Sequence, residues 1–207
     1  MTLPRGALPI ASSSAPSQLV LASESPRRLA LLAQAGIVPG AVRAAAIDES
    51  IHRKEEPRPY ALRVATAKAR AVAAAWDGPP SVFLAADTVV ALGTRILPKA
   101  SSDVEVRDCL GRLSGRSHRV FTAIAALAPD GKLRTRMVET RLIFCRLDAA
   151  TIEFYVRCGE GLGKAGGYAV QGRAEIFVRH LGGSYSNVVG LPLRETISLL
   201  RGSGYPC

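Results

Sequence analysis

Val82-Phe83-Leu84-Ala85-Ala86-Asp87-Thr88-Val89-Val90-Ala91-Leu92 is an apolar run broken at its centre by one acid and one hydroxyl. Such a run reads as a buried strand, because strands covered on both faces lose the polar alternation of half-exposed ones. Before it, Ala61, Val64, Ala65, Val72 and Trp76 share one face of a helix over about residues 58–76, which Gly78-Pro79-Pro80 stops. Further upstream, Leu19-Val20-Leu21 is a short strand entering Ser23-Glu24-Ser25-Pro26-Arg27-Arg28 and a helix with Leu29, Leu32 and Ala33 on one face. Ser25 suits its N-cap, Pro26 its first position and Gly36 its end. Downstream of a Gly93-Thr94 turn, Asp103 is placed to cap a helix ending near Leu113, and Ser114-Gly115 turns the chain. Residues 120–127 form another strand, and the alternating stretch 133–147, after an Asp130-Gly131 turn, supplies its antiparallel partner. A helix over residues 151–158 follows, capped by Asp148 or Thr151, then a strand around 176–178 and an amphipathic helix over about 192–200. Strands alternating with helices predict an α/β fold on a mixed sheet.

Composition narrows the function classes. The chain has 207 residues, 48% hydrophobic and 21% charged, which is ordinary globular composition and excludes dominant disorder. No apolar run approaches the roughly 18 residues of a membrane span, so no membrane partner is expected. Cys109, Cys145, Cys158 and Cys207 are too scattered for a disulfide framework or a zinc pair, which points to a reducing, cytoplasmic setting. Residues 1–17 read as a flexible N-terminal extension, and residues 18–207 as a single domain. The 27 Lys and Arg against 17 Asp and Glu give +10, a field that attracts polyanions such as nucleic acid, acidic lipid or nucleotide phosphates. Arginine abundance from base composition is the other source of that surplus. Aromatics are only 5% and do not interleave with the basic residues, so nucleic acid is not the partner expected.

Several positions carry candidate chemistry. The strand, turn and helix start from Ser23 to Arg28 form an anion site if the amides and both arginines face a phosphate, and a plain capped helix otherwise. Asp87, within its apolar run, needs a partner, since burying a carboxylate alone is prohibitive. It is a metal ligand or general base at a strand's carboxyl end, or a turn aspartate. Lys68 lies four residues from both Val64 and Val72 and so shares the apolar face of its helix, unless it snorkels to solvent. Glu49, beside Asp48, is a second metal carboxylate or a solvated loop acid, and Lys99 is a further isolated cation. The segment Gly163-Lys164-Ala165-Gly166-Gly167-Tyr168-Ala169-Val170-Gln171-Gly172 is either a cradle for a flat ligand, with the Gln171 amide at its end, or a structural turn. His52, His118 and His180 stand apart and read as structural.

Taken together, Leu21-Ala22-Ser23-Glu24-Ser25-Pro26-Arg27-Arg28, Ile47-Asp48-Glu49, Ala86-Asp87-Thr88-Val89-Val90, Leu113-Ser114-Gly115 with His118, Lys164-Ala165-Gly166, and Gly183-Ser184-Tyr185 through Gly190-Leu191-Pro192-Leu193 resemble the Maf family of nucleoside triphosphate pyrophosphatases. The resemblance implies a mixed, twisted sheet flanked by helices, similar to the inosine triphosphate pyrophosphatases, and a homodimer. It implies cleavage of a nucleoside triphosphate to monophosphate and pyrophosphate with Mg²⁺ or Mn²⁺, with Asp87 as proton acceptor. Arg27, Thr88 and Gln171 match the positions that set base preference and are similar to the branch acting on dTTP and UTP. On this reading Asp87 and Glu49 hold the metal, and Ser23, Arg27, Arg28 and Lys164 bind substrate. Lys68 and Lys99 act with Asp87 on the reacting phosphate. A basic nucleic-acid-binding protein, or a non-catalytic partner in cell division, is the alternative.

Overall fold

The structure, a computed structural model, describes residues 18–207; the extension expected over residues 1–17 lies outside the described residues. Its strands are β1 (Gln18–Leu21), β2 (Ala41–Val42), β3 (Ser81–Leu92), β4 (Arg95–Leu97), β5 (Ser117–Leu127), β6 (Leu133–Phe144) and β7 (Val178–Gly182). Its helices are α1 (Pro26–Gln34), α2 (Pro57–Ala74), α3 (Asp103–Leu113), α4 (Ala149–Arg157), α5 (Tyr185–Val189) and α6 (Leu193–Gly202), with a 3-10 turn at Arg173–Phe177. One mixed sheet runs β2-β1-β3-β5-β6-β7. β1 is parallel to β2 and β3, whereas the β3–β5, β5–β6 and β6–β7 pairs are antiparallel.

The central strand β3 is apolar except at Ser81, Asp87 and Thr88 because both its faces are buried. Phe83, Ala85 and Val89 join Val20, Val64, Ala65 and Ala125 beneath α2. Leu84, Ala86 and Val90 point the opposite way, into a core with Leu21, Leu32, Leu110, Ile124 and Leu142. Alternation on a pleated strand therefore sends Asp87 toward α2 and Thr88 to the other face.

The edge of β3 opposite β5 determines where a site can form. β1 pairs with that edge only from Ser81 to Leu84, a contact the Ala22 amide extends by donating to the Leu84 carbonyl at 2.8 Å. β4 takes it up again at Val90. Between them, among the described residues, no strand pairs with this edge of β3, and Asp87 sits in that gap. The acid is thus in the middle of a twelve-residue strand and not at its carboxyl end as the sequence suggests. It is the carboxyl end of the shorter parallel neighbour β1 that opens the sheet beside it, which keeps the general placement of sites in open α/β sheets.

Other local expectations also shift. In α1 the buried leucines are Leu31 and Leu32, while Leu29 is half-buried and Ala33 is exposed. Ser102, not Asp103, caps α3, its hydroxyl accepting from the Glu105 amide at 3.3 Å. Asp148 wins over Thr151 at α4, its Oδ1 accepting the Thr151 N–H at 2.8 Å. The strand expected near Ile176 is a 3-10 turn, and β7 begins only at Val178.

Candidate active site

Lys68 reaches the sheet from the buried face of α2, and its ammonium lies 3.0 Å from Asp87 Oδ1 and 3.0 Å from Glu49 Oε1. Asp87 is 2% exposed and Lys68 7%, so each supplies the charge the other needs in order to be buried. Lys99 closes the chain of charges at 2.6 Å from Glu49 Oε2. Partial burial raises the affinity of Glu49 for a proton, but hydrogen bonds and charge from Lys99 and Lys68 outweigh it and hold this carboxyl below the usual range.

Glu49 sits in an irregular segment that α2 and a local turn fix in place. The Tyr60 hydroxyl donates to the Glu49 carbonyl at 2.9 Å, and Arg63 donates to the Ser50 carbonyl at 2.8 Å while binding Glu55 through two nitrogens at 2.7 Å. The Asp48 carboxylate accepts the Ser50 amide at 2.8 Å, an Asx turn that points it away from the site. Burial first, then the charges of Asp87 and Glu49, push the Tyr60 phenol up to about 12, so it remains a donor. Tyr60 was legible in principle: it lies one turn before Val64, on the face that carries Lys68.

Lys68, Asp87 and Glu49 line a pocket of about 440 Å³ together with Ser23, Glu24, Arg27, Arg28, Thr88, Lys99, Lys164 and Gln171. Every site residue named from the sequence lines this one pocket. The helix start is organised differently from expectation. Ser25 occupies the N-cap, but its hydroxyl caps nothing, and the Arg28 and Leu29 amides close instead on the Ser25 carbonyl at 3.1 and 3.4 Å. Arg28 folds back, donating to the Gly190 carbonyl at 2.9 Å, to Ser23 Oγ at 2.8 Å and to Thr88 Oγ1 at 3.4 Å. Burial lowers its proton affinity, against the pull of the nearby Asp87 charge, and burial lowers that of Arg27 as well.

Thr88 also shares a hydrogen bond of 3.0 Å with the buried Thr122 hydroxyl, which in turn donates to the Asn187 carbonyl at 2.9 Å. Sequence reasoning missed Thr122 and Asn187, whose partners are 34 and 65 residues away in the chain. The glycine-rich wall is tied to the Lys99 segment: Lys99 bridges Ala165, and the Gly166 amide donates to the Pro98 carbonyl at 3.0 Å. Gly166 has φ +67° and lies against Val90, which is why a side chain is excluded there. His118 is structural, as expected; it is buried and hydrogen-bonds through Nε2 to the Tyr168 hydroxyl at 2.9 Å.

The donor chemistry admits a divalent ion of one kind. Glu49 and Asp87 supply carboxylate oxygens, the ligands Mg²⁺ and Mn²⁺ prefer, and both converge on a single point at the Lys68 ammonium. Among the described residues no group of three or more His, Cys, Asp or Glu could hold an ion unaided. Mg²⁺ is ordinarily held by one or two carboxylates, with phosphate oxygens and water completing the shell.

Fold and site together define an α/β protein with a pocket for a polyanion, in which Arg27, Arg28, Lys68, Lys99 and Lys164 outnumber Glu24, Glu49 and Asp87. The chain belongs to the Maf family: the family's sequence profile, described as Maf-like protein, matches residues 18–203. It is 57% identical over 187 residues to a dTTP/UTP pyrophosphatase of Caulobacter vibrioides, covering 90% of this chain and 96% of that one. A dTTP/UTP pyrophosphatase of Mesorhizobium japonicum is 56% identical over 192 residues, covering 91% and 92% respectively. Among solved structures, a HAM1 protein from Coxiella burnetii aligns with 90% of this chain and 99% of its own at 16% identity and a TM-score of 0.47, too loosely to bear on the argument.

Proposed function

We propose that this protein hydrolyses dTTP and UTP to the monophosphate and pyrophosphate, by attack of water at the α-phosphorus. The observation that carries the reading is the Asp87–Lys68–Glu49 cluster, its Asp87–Lys68 pair buried, in a pocket that Arg27, Arg28, Lys99 and Lys164 also line. Relatives that are 53–57% identical over nine-tenths of the chain and bear the name dTTP/UTP pyrophosphatase support the choice of substrate.

In this mechanism Asp87 is the proton acceptor. Lys68 engages its Oδ1, which leaves Oδ2 for the attacking water and fixes the carboxylate plane. Lys68, Lys99, Arg27 and Lys164 stabilise the charge that builds on the phosphoryl oxygens and on the departing pyrophosphate, each at the scale of one oxyanion donor, about 3 kcal/mol. Burial and the neighbouring Arg27 lower the proton affinity of Lys164, an unfavourable charge that a bound phosphate would relieve. Arg28 shapes the pocket from below, through Ser23, Thr88 and Gly190. Glu49 and Asp87 would hold Mg²⁺ or Mn²⁺, and the ion when bound supplies Lewis-acid neutralisation of the phosphates. Gln171 presents one acceptor and one donor, complementary to the O4 and N3–H edge of uracil or thymine. Guanine offers the same alternation, so pocket width must separate pyrimidine from purine.

Four free cysteines among the described residues support a cytoplasmic setting, and no helix there is long and apolar enough to cross a membrane. The family resemblance supports a homodimer, which light scattering reads as twice the chain mass. Purified protein given a panel of canonical triphosphates with Mg²⁺ should release pyrophosphate fastest from dTTP and UTP. Orthophosphate and diphosphate as products would overturn the reading.

A further inference from the structure

Gln171 is the third residue of a four-residue turn, Ala169 to Gly172, closed by the Gly172 amide on the Ala169 carbonyl at 3.0 Å. An anchor from one short stretch of chain grips the turn on each side. Before Gln171, the Ala169 amide donates to the hydroxyl of Tyr155, a fully buried α4 residue whose ring packs edge-on against Phe177 at 5.2 Å. After it, the Arg173 amide donates to Glu160 Oε2 at 2.7 Å. That carboxylate lies so close to Gly172 that an added Cβ would overlap Oε2. Neither Tyr155 nor Glu160 lines the pocket.

We propose that Tyr155 and Glu160 are positioning residues for Gln171: they hold the turn at the depth that gives the pocket pyrimidine width. The inference rests on the reading of Gln171 as the base-facing residue. An exposed amide on a glycine turn would otherwise sample several positions, and selection by width requires a wall that does not yield. The Glu160 carboxylate fills the space a side chain at Gly172 would take, so a Cβ there would displace the carboxylate from the Arg173 amide; the φ of −117° is open to any residue.

The test measures kcat and KM for UTP and GTP in the parent, Gln171→Ala, Tyr155→Phe, Glu160→Ala and Glu160→Gln. Gln171→Ala should lower the UTP-to-GTP ratio of kcat/KM by about tenfold or more. Tyr155→Phe and Glu160→Ala should lower it likewise, through KM, with kcat on UTP held within about threefold. Glu160→Gln, whose amide oxygen still accepts the Arg173 N–H, should restore the parent ratio, and Glu160→Ala combined with Gln171→Ala should do no more than Gln171→Ala alone. If Gln171→Ala collapses the ratio while Tyr155→Phe and Glu160→Ala leave it intact, or merely scale kcat on both nucleotides equally, the positioning inference is overturned alone. An unchanged ratio in Gln171→Ala would overturn the base-facing reading and the inference with it. Should Glu160→Ala fail to fold, the near-isosteric Tyr155→Phe carries the same test.

Discussion

Replacing Lys68 with methionine removes the charge shared by two carboxylates while keeping most of the side-chain volume. The two ion pairs it breaks are unequal. Asp87 has a side chain 3% exposed, facing a Lys68 side chain 9% exposed, whereas the Glu49 side chain is 32% exposed. Removing one partner of a buried pair costs about 3–5 kcal/mol, and a pair near solvent contributes roughly 0–1 kcal/mol. The loss should therefore fall almost wholly on the Asp87 arm. Lys68→Met should thus destabilise by about 3–5 kcal/mol at pH 8. In a chain of this size that is a fall in Tm of roughly 6–20 °C. Urea titrations followed by circular dichroism at pH 8 read the loss. Combining Lys68→Met with Asp87→Asn should recover at least half the loss at pH 8, because the amide carries no charge. A single variant within about 0.5 kcal/mol of the parent at pH 8, or a double variant no more stable than the single, would refute the claim that Asp87 is charged and depends on this lysine.

Other outcomes follow from the same geometry. Asp87→Asn keeps the hydrogen bond from Lys68 through its amide oxygen, so calorimetry should find nucleotide binding retained while pyrophosphate release falls about 10²–10⁴-fold. Gly166→Ala combines a φ of +67° with a Cβ 2.8 Å from Val90 Cγ1 and should cost about 2–4 kcal/mol by urea titration. Gly93→Ala, with φ +64° but nothing within 4 Å, should cost only about 1 kcal/mol. His118 predicts an acid weakness: burial pulls its proton affinity from 6.5 down to about 4. The folded state then binds fewer protons than the unfolded one between those values, so stability is full above pH 6.5 and is lost as pH falls toward 4, by about 3 kcal/mol over the window. A variant with His118→Gln should show a flatter urea-midpoint profile across that range.

Much of this arrangement was legible because it rests on periodicity. The run from Val82 to Leu92 identified the central strand, and the spacing of Val64, Lys68 and Val72 placed an ammonium on the buried face of α2. A carboxylate and an ammonium, each set among apolar neighbours, imply one another before any coordinates are known. Sequence could not show that Glu49 completes the pair, since its place depends on Tyr60 and Arg63 holding an irregular segment against α2. Nor could it show that Asp87 is mid-strand, because the gap beside it arises from the shortness of the neighbour, β1. β2 and β4, of two and three residues, carry too little pattern to announce themselves, and they exist only through pairing with β1 and β3. The α3 cap moved by one residue, from Asp103 to Ser102, because capping follows the backbone angles and not residue type alone, whereas at α4 the expected Asp148 holds the cap.

The central claim concerns which phosphorus the water attacks, and oxygen labelling answers it directly. Turnover of dTTP in H₂¹⁸O with Mg²⁺, followed by mass spectrometry of both products, should place the label in the thymidine monophosphate and none in the pyrophosphate. Label in the pyrophosphate, or thymidine diphosphate with labelled orthophosphate, would contradict the account.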